Sequence, residues 1–307
     1  MVLSIEKSAT DTRSQNESSE QRKEVDLDIV DAHHHLWDRG RFRYSWLSQA
    51  PAIDRDHLLP DYESVIAGSG VVRSVHVQAD VDEQWALQET NWLLSMADGA
   101  GPVTAVVGWA PVERPEELEK FLEQQGDNPR LKGFRRLLQG ESDDGFAARE
   151  EFVGGVRRLG KSGFSFDLCI YHHQLPAVIE LARQVPDTPL VLDHIGKPDI
   201  RSGRLDPWQQ NIGELAAMDH VYCKMSGMTT EADFAAWTVD DLRPYADTII
   251  DAFGFSRLMF GSDWPVSTQA VDYQRWLDTV SELTSGASAG ERDALMRGTA
   301  TRFYRLG

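Results

Sequence analysis

Apolar positions along the chain fall into two alternating rhythms. Short runs rich in β-branched residues give way to longer stretches in which apolar side chains recur every three or four positions. The first rhythm fits strands buried on both faces and the second fits amphipathic helices. It predicts strands over Leu27–Ala32, Val71–Val77, Val103–Trp109, Leu131–Arg135, Phe164–Ile170, Leu190–Asp193, Val221–Met225 and Arg257–Gly261. Helices are predicted over Glu83–Ala97, Glu116–Gln125, Phe146–Leu159, Leu175–Gln184, Pro207–Met218, Leu242–Phe253, Tyr273–Thr284 and Ala289–Tyr304. After the first strand the alternation is interrupted by an irregular aromatic segment, Trp37–Ile53, and a short helix near Asp61–Ala67. Strands that each lead into a helix, with no linker between them, point to one closed parallel (β/α)8 barrel, an α/β fold. An open doubly wound sheet would alternate in the same way, but no GxGxxG turn follows the first strand, so its nucleotide-binding form lacks its signature.

Residues 1–24 break both rhythms. They are rich in Ser, Gln and charge, and no large aliphatic residue stands between Ile5 and Val25. Such a segment buries too little apolar surface to offset its ordering entropy, so a flexible extension is expected there and the barrel is expected over 25–307.

In barrels of this kind, chemistry sits at the carboxyl ends of the strands, and that placement selects the candidates. The first predicted strand runs into Asp31-Ala32-His33-His34-His35. Strict alternation would put Asp31, His33 and His35 on one face and His34 on the other. Two imidazoles two residues apart on one face can both reach a metal ion at roughly 2.0–2.1 Å. The sixth strand ends in Asp193-His194-Ile195-Gly196-Lys197-Pro198, which brings His194 to the barrel mouth and directs Lys197 through a Gly-x-Pro turn. Asp193 is expected to pair structurally, with a backbone group or an arginine. The eighth strand ends in Gly261-Ser262-Asp263-Trp264-Pro265, where Asp263 could ligate a metal, act as general base for water, or do both in succession.

The remaining strand ends supply candidate substrate contacts. Arg135 and Arg136 close the fourth strand on opposite faces, so one guanidinium is free to bind carbonyl or hydroxyl groups while the other is structural. Gln78 closes the second strand, and Trp37, Tyr44, Trp46 and Trp264 offer rings that could stack on a sugar or a planar ring. His172 and His173, after the fifth strand, are expected at the surface.

Charge removes several partners. With 31 Lys and Arg against 49 Asp and Glu, the net charge is −18, and no dense basic run interrupts it. Nucleic acid and anionic membrane surfaces are therefore excluded as expected partners. The acidic balance also leans towards a neutral substrate whose product is an anion that the field helps to expel. An apolar share of 41% is enough for a full core. Cys169 and Cys223 stand in separate apolar segments without a CxxC pattern and read as buried free thiols of a reducing cytosol. No apolar run approaches the roughly 18 residues of a membrane span, and residues 1–24 lack the apolar core of a signal peptide. A cytoplasmic protein is expected, and a homo-oligomer is left open.

Taken in order, DxHxHxW, YxWL, VQA, VVGW, LKGFR, QLP, LVLDHxGKP, KxSGxxTEAD, LMFGSDWPV and GTATRFY resemble the amidohydrolase-related TIM-barrel lactonases, the group of L-fuconolactonase and L-rhamnonolactonase. The likeness runs from Asp31 nearly to the end of the chain. It implies an aldonolactone hydrolase, with catalytic roles for Asp263 and His194, metal ligation by His33, His35, His194 and Asp263, and substrate binding by Arg135 and Lys197. Members of the group differ over metal, some holding one Zn²⁺ and others working without it. Phe134-Arg135-Arg136 stands where relatives often read GFRH, and no Pro separates the aromatics of Tyr44-Ser45-Trp46. No carboxylate or bridging Lys ends the fourth strand, which disfavours a two-metal centre. The competing readings are a metal-dependent decarboxylase or pyrone-type lactonase on the same scaffold, and a barrel that binds a sugar acid without turnover.

Overall fold

In the computed structural model, residues 28–307 are described, so the extension expected over 1–24 lies outside the described residues. Eight strands form one sheet in sequential order: β1 (Ile29–His34), β2 (Val71–Val77), β3 (Val103–Gly108), β4 (Leu131–Arg135), β5 (Ser165–Leu168), β6 (Leu190–Leu192), β7 (Val221–Met225) and β8 (Leu258–Phe260). Each pairs in parallel with the next. A parallel bridge between His34 and Trp264 closes the barrel, flanked by hydrogen bonds from His35 N to Trp264 O (2.7 Å) and from Asp263 N to His33 O (2.8 Å). The expected (β/α)8 architecture is thus the observed one, and its seam is made by two segments that carry candidate chemistry.

The outer layer holds α1 (Leu59–Ile66), α2 (Ala86–Ala97), α3 (Pro115–Gln125), α4 (Glu150–Lys161), α5 (Leu175–Gln184), α6 (Trp208–Ala216), α7 (Val239–Phe253) and α8 (Tyr273–Leu283). Helix α7 begins three residues before the predicted Leu242. Thr238 caps it, accepting from Asp241 N, while the Asp241 carboxylate accepts from Thr238 N (2.8 Å). This reciprocal cap sets the earlier start, with Pro244 inside the helix. The closing helix is not continuous either: α9 (Ala289–Asp293) and α10 (Thr299–Phe303) are joined by a π-helical stretch, Ala294–Gly298. The wider turn changes the phase of the buried stripe. Leu295 packs with the outer core, whereas Ala300, Phe303, Tyr304 and Leu306 pack with the residues that fill the barrel.

Two cores result. Between strands and helices lies a large apolar layer that includes Phe134, Phe152, Phe166, Trp208 and Trp276. Inside the barrel, Val30, Ala32, Val75, Val77, Ala105, Val107, Val191 and Met259 form a smaller plug, closed from the amino-terminal end by Phe303 and Tyr304. Strands β6 and β8 stop earlier than predicted, after three residues, because the backbone turns where their chemical residues begin.

Candidate active site

The seam positions the first two histidines through a bulge. Asp31 pairs with Ser74 and His34 with His76, so β1 carries one residue more than β2 between those pairs. An inserted residue reverses side-chain parity. Val30 and Ala32 pack inside the barrel, yet the Asp31 carboxylate points out to the hydroxyls of Tyr62 (2.9 Å) on α1 and Tyr273 (3.0 Å) on α8. The expectation that Asp31 shares a face with His33 and His35 is therefore corrected. Asp31 braces the site, because its other oxygen accepts from the backbone N–H of His33 (3.2 Å) and of Ser262 (2.9 Å).

Four groups then converge. His33 Nε2 and His35 Nε2 are 3.2 Å apart, and Asp263 Oδ1 is 3.3 Å from His35 Nε2 and 3.8 Å from the Nε2 atoms of both His33 and His194. Ligands held tetrahedrally at the usual zinc distances would be separated by roughly 3.3 Å. The four residues are at most 4% exposed. The His35 tautomer also suits ligation. His35 Nδ1 lies 2.7 Å from Val77 O, which can only accept, so its proton sits there and Nε2 keeps a lone pair. His194 Nδ1 is held by Ser226 Oγ (2.9 Å) and His33 Nδ1 lies 3.3 Å from Asp193 Oδ1. Burial lowers all three imidazoles below their ordinary range, His35 to about 3 and His194 to about 4, so they are neutral at neutral pH, as metal ligands must be. The set fits one divalent metal ion.

Beneath His33 lies a charged floor. Lys224 on β7, fully buried, meets Asp167 on β5 (2.6 Å) and Asp193 (3.0 Å), while Arg135 Nη1 meets Asp193 (3.1 Å) and Tyr304 donates to Asp167 (2.9 Å). Burial would raise the Asp193 carboxyl, but Lys224, His33 and Arg135 overcome it and hold the group well below the usual carboxylate range. Asp193 thus does pair with an arginine, as expected, and it also orients His33.

Above this floor a cavity of about 150 Å³ is lined by His35, His194 and Asp263 together with Trp46, Ala79, Asp80, Arg135, Leu137, Gln139, Cys169, Lys197, Thr230 and Val266. A left-handed turn aims two of these residues. His194, Ile195, Gly196 and Lys197 all have positive φ, and the turn is held by Trp208 Nε1 on Ile195 O (2.8 Å) and by His172 Nδ1 against Lys197 O (3.0 Å). Such a run costs roughly 1–2 kcal/mol per non-glycine residue, strain of the kind stored at functional sites. His172 therefore supports the site, whereas His173 pairs with Asp144 (2.9 Å) among exposed residues.

Of the expected substrate contacts, Arg135, Lys197 and Trp46 reach the cavity. Four do not line it. Trp37 is fully buried and donates to Arg55 O (2.7 Å), Tyr44 packs beside it, and Trp264 is wedged between His57 and Tyr62. Gln78 is buried with its amide oxygen on Asp80 N. Each ring is worth more as the packing that holds the irregular first loop than as a stacking face. Arg136 points away, pairing with Glu113 (2.9 Å) and Glu141 (2.7 Å).

Sequence reasoning passed over Asp80, Gln139, Cys169 and Asp167 as site residues. For Asp167 a signal existed, since a charge in the middle of an apolar barrel strand must be paired inside.

Comparison with known proteins agrees with this geometry. The chain is 36% identical over 289 residues to the L-fucono-1,5-lactonase of Burkholderia multivorans, covering 90% of this chain and 96% of that one. It is 30% identical over 231 residues to the 4-sulfomuconolactone hydrolase of Rhizobium radiobacter, covering 73% and 71%. A solved structure of a Burkholderia multivorans amidohydrolase with bound zinc superimposes with a TM-score of 0.82 at 35% identity, over 91% of this chain and 99% of that one. The sequence profile described as Amidohydrolase matches residues 30–306, the whole barrel with its histidine seam, and the chain is a member of the amidohydrolase family.

Proposed function

We propose that the protein hydrolyses a neutral, sugar-derived lactone to the sugar acid. The observation that carries this reading is the meeting of a buried carboxylate, Asp263, with the neutral His35 and His194 and two cations, Arg135 and Lys197, around one cavity, with His33 against Asp263 and His35 beside it. His33, His35 and Asp263, with His194 3.8 Å from the Asp263 carboxylate, would hold the divalent ion, zinc in the solved relative, and a bound ion there would polarise the lactone carbonyl.

The chain's own groups divide the remaining work. Burial raises the Asp263 carboxyl, although His194, Lys197 and Arg135 pull it back, which brings it nearer the pH at which a general base works. Asp263 takes the proton of the attacking water. As the carbonyl becomes tetrahedral, Arg135 and Lys197 offer donors to the developing oxyanion. The C–O bond to the ring oxygen then breaks, and the proton held by Asp263 returns to that oxygen. Water ends up as the OH of the new carboxyl group and the hydrogen of the new hydroxyl, and the carboxyl then loses its proton to solvent.

The acidic exterior supports entry of a neutral lactone and departure of its anion, and gives nucleic acid no purchase. Both cysteines are unpaired and buried, which supports a reducing cytosol, and among the described residues no helix is long and apolar enough to cross a membrane.

The test is acid release from a panel of sugar lactones, L-fucono-1,5-lactone first, with zinc content measured before and after chelation. Hydrolysis is expected, and Asp263→Asn should lower kcat by about 10²–10³ or more in a folded protein. Loss of ring absorbance from aromatic or pyrone acids without lactone hydrolysis would overturn the reading in favour of the decarboxylase or pyrone enzyme. Stabilisation by a sugar acid with no turnover of any lactone would establish a binding barrel instead.

A further inference from the structure

The tripeptide after β2, Gln78-Ala79-Asp80, is fixed at each residue. Arg135 Nη2 donates to Gln78 O, Trp46 Nε1 donates to Ala79 O (2.8 Å), and Asp80 N donates to the Gln78 side-chain oxygen. Two of the three clamps, Arg135 and Trp46, themselves line the cavity. Under this restraint Asp80 is held at φ +56°, a left-handed conformation that costs a non-glycine residue about 1 kcal/mol or more. Asp80, exposed at the mouth, lines the cavity, and among the described residues its carboxylate has neither a hydrogen bond nor an ion pair. A loop aspartate serving only solvation needs no such fixing.

The other polar groups of the lining are spent differently. The Gln139 side-chain oxygen already accepts from Lys197 Nζ and from Cys169 Sγ (3.4 Å), and Thr230 Oγ1 donates to Gly227 O (3.0 Å). What Gln139 and Lys197 still offer the cavity is N–H donors. Apart from Asp263, which has its work at the reaction centre, Asp80 is the carboxylate of the lining. A ligand that satisfies it must donate. Ring ethers, carbonyls and methylenes cannot, and a second carboxylate on the ligand would be repelled. A hydroxyl can, and two neighbouring hydroxyls can engage both oxygens at once.

Building on the lactonase reading, we propose that Asp80 is the specificity residue of this site: it accepts hydrogen bonds from adjacent hydroxyls of the substrate and so selects polyhydroxylated sugar lactones over rings that lack them. Gln78, buried behind it, is the positioning residue that keeps Asp80 turned to the cavity.

The experiment compares kcat/KM for L-fucono-1,5-lactone and for unsubstituted δ-valerolactone in the wild-type protein, in Asp80→Gly, which deletes the side chain without backbone strain, and in Asp80→Asn. A charge-assisted hydrogen bond to a hydroxyl contributes about 10-fold to 100-fold, so losing two should collapse the preference for the sugar lactone by about 10²–10⁴ in Asp80→Gly, with Asp80→Asn between. If δ-valerolactone turns over too slowly, the same ratio is read from equilibrium binding of the sugar acid against 5-hydroxyvalerate. A preference that stays within threefold of wild type, whether both rates fall together or neither does, overturns the assignment. Absence of wild-type hydrolysis of every lactone would instead count against the lactonase reading, which keeps the two failures apart.

Discussion

Replacing Lys224 by Met tests the charged floor beneath the histidines. The side chain is fully buried, 2.6 Å from Asp167 and 3.0 Å from Asp193, and with Arg135 it balances those two carboxylates charge for charge. At an effective dielectric constant of about 20, unit charges roughly 3 Å apart attract by about 5–6 kcal/mol, and desolvation consumes most of that gain. Removing one partner alone leaves a buried charge uncompensated and costs about 3–5 kcal/mol. Met fills most of the lysine's volume, so the loss reports charge more than cavity. Urea unfolding should show the midpoint moved to lower urea with an unchanged slope. Thermal unfolding should shift down by about 5–10 °C.

Asp167 supplies the sign of the pH dependence. Burial raises its carboxyl above the ordinary value and Lys224 pulls it back. A carboxyl raised in the folded state stabilises at low pH and loses that contribution as pH rises through its folded value. Without Lys224 the group climbs further, so the deficit of Lys224→Met should be larger at pH 7.5 than at pH 5.5. Neutralising the stranded partner in Lys224→Met/Asp167→Asn should restore at least about 2 kcal/mol, since Asp193 keeps Arg135 and the Asn oxygen can still accept from Tyr304. A single-variant loss below about 1 kcal/mol, or a double variant no better than the single one, would refute the reasoning.

Two further outcomes follow from the packing around the site. Gly227 has φ +61°, and a Cβ there would stand 2.6 Å from Cγ and Nδ1 of His194, so Gly227→Ala should cost about 1–3 kcal/mol and lower lactonase activity by displacing that ring. Gly203→Ala, at φ +69° with open space around it, should pay only the backbone cost and keep its activity; equal activity in the two variants would remove the positioning argument. His57 is 1% exposed, its ring nitrogens have no partner among the described residues, and burial together with Arg55 lowers it to about 4. Such an imidazole stabilises the fold above about pH 6.5, and up to about 3 kcal/mol is lost as pH falls towards 4, because the unfolded chain takes the proton first. Urea midpoints measured across that range should fall less steeply in His57→Phe than in wild type, and parallel slopes would count against this.

Periodicity alone located the eight strands, their parallel order and the end of the barrel where His33, His35, His194, Arg135, Lys197 and Asp263 meet, because alternation and burial are local properties of a strand. Three strands, β2, β4 and β7, have the bounds the pattern implies. What the pattern could not hold was any consequence of closure. The bulge in β1 turns Asp31 outward and His33 inward, against strict alternation, because the chain must bring two histidines to the seam with Asp263 while Asp31 ties both segments together. Left-handed backbone at His194–Lys197 and at Asp80 is imposed by Trp208, His172, Arg135 and Trp46 from other parts of the chain. Trp37, Tyr44 and Trp264 could serve as stacking faces although such rings are more often packing, and only their neighbours decide for packing. Lys224 and Asp167 lie 57 positions apart and become a pair only when β5 and β7, the two neighbours of β6, both turn them into the barrel interior. The sequence by itself determined where along the chain each strand lies and which chemical residues stand near its carboxyl end. Tertiary structure decided which way those residues point and what each is left free to bind, since both depend on contacts between strands that no local period records.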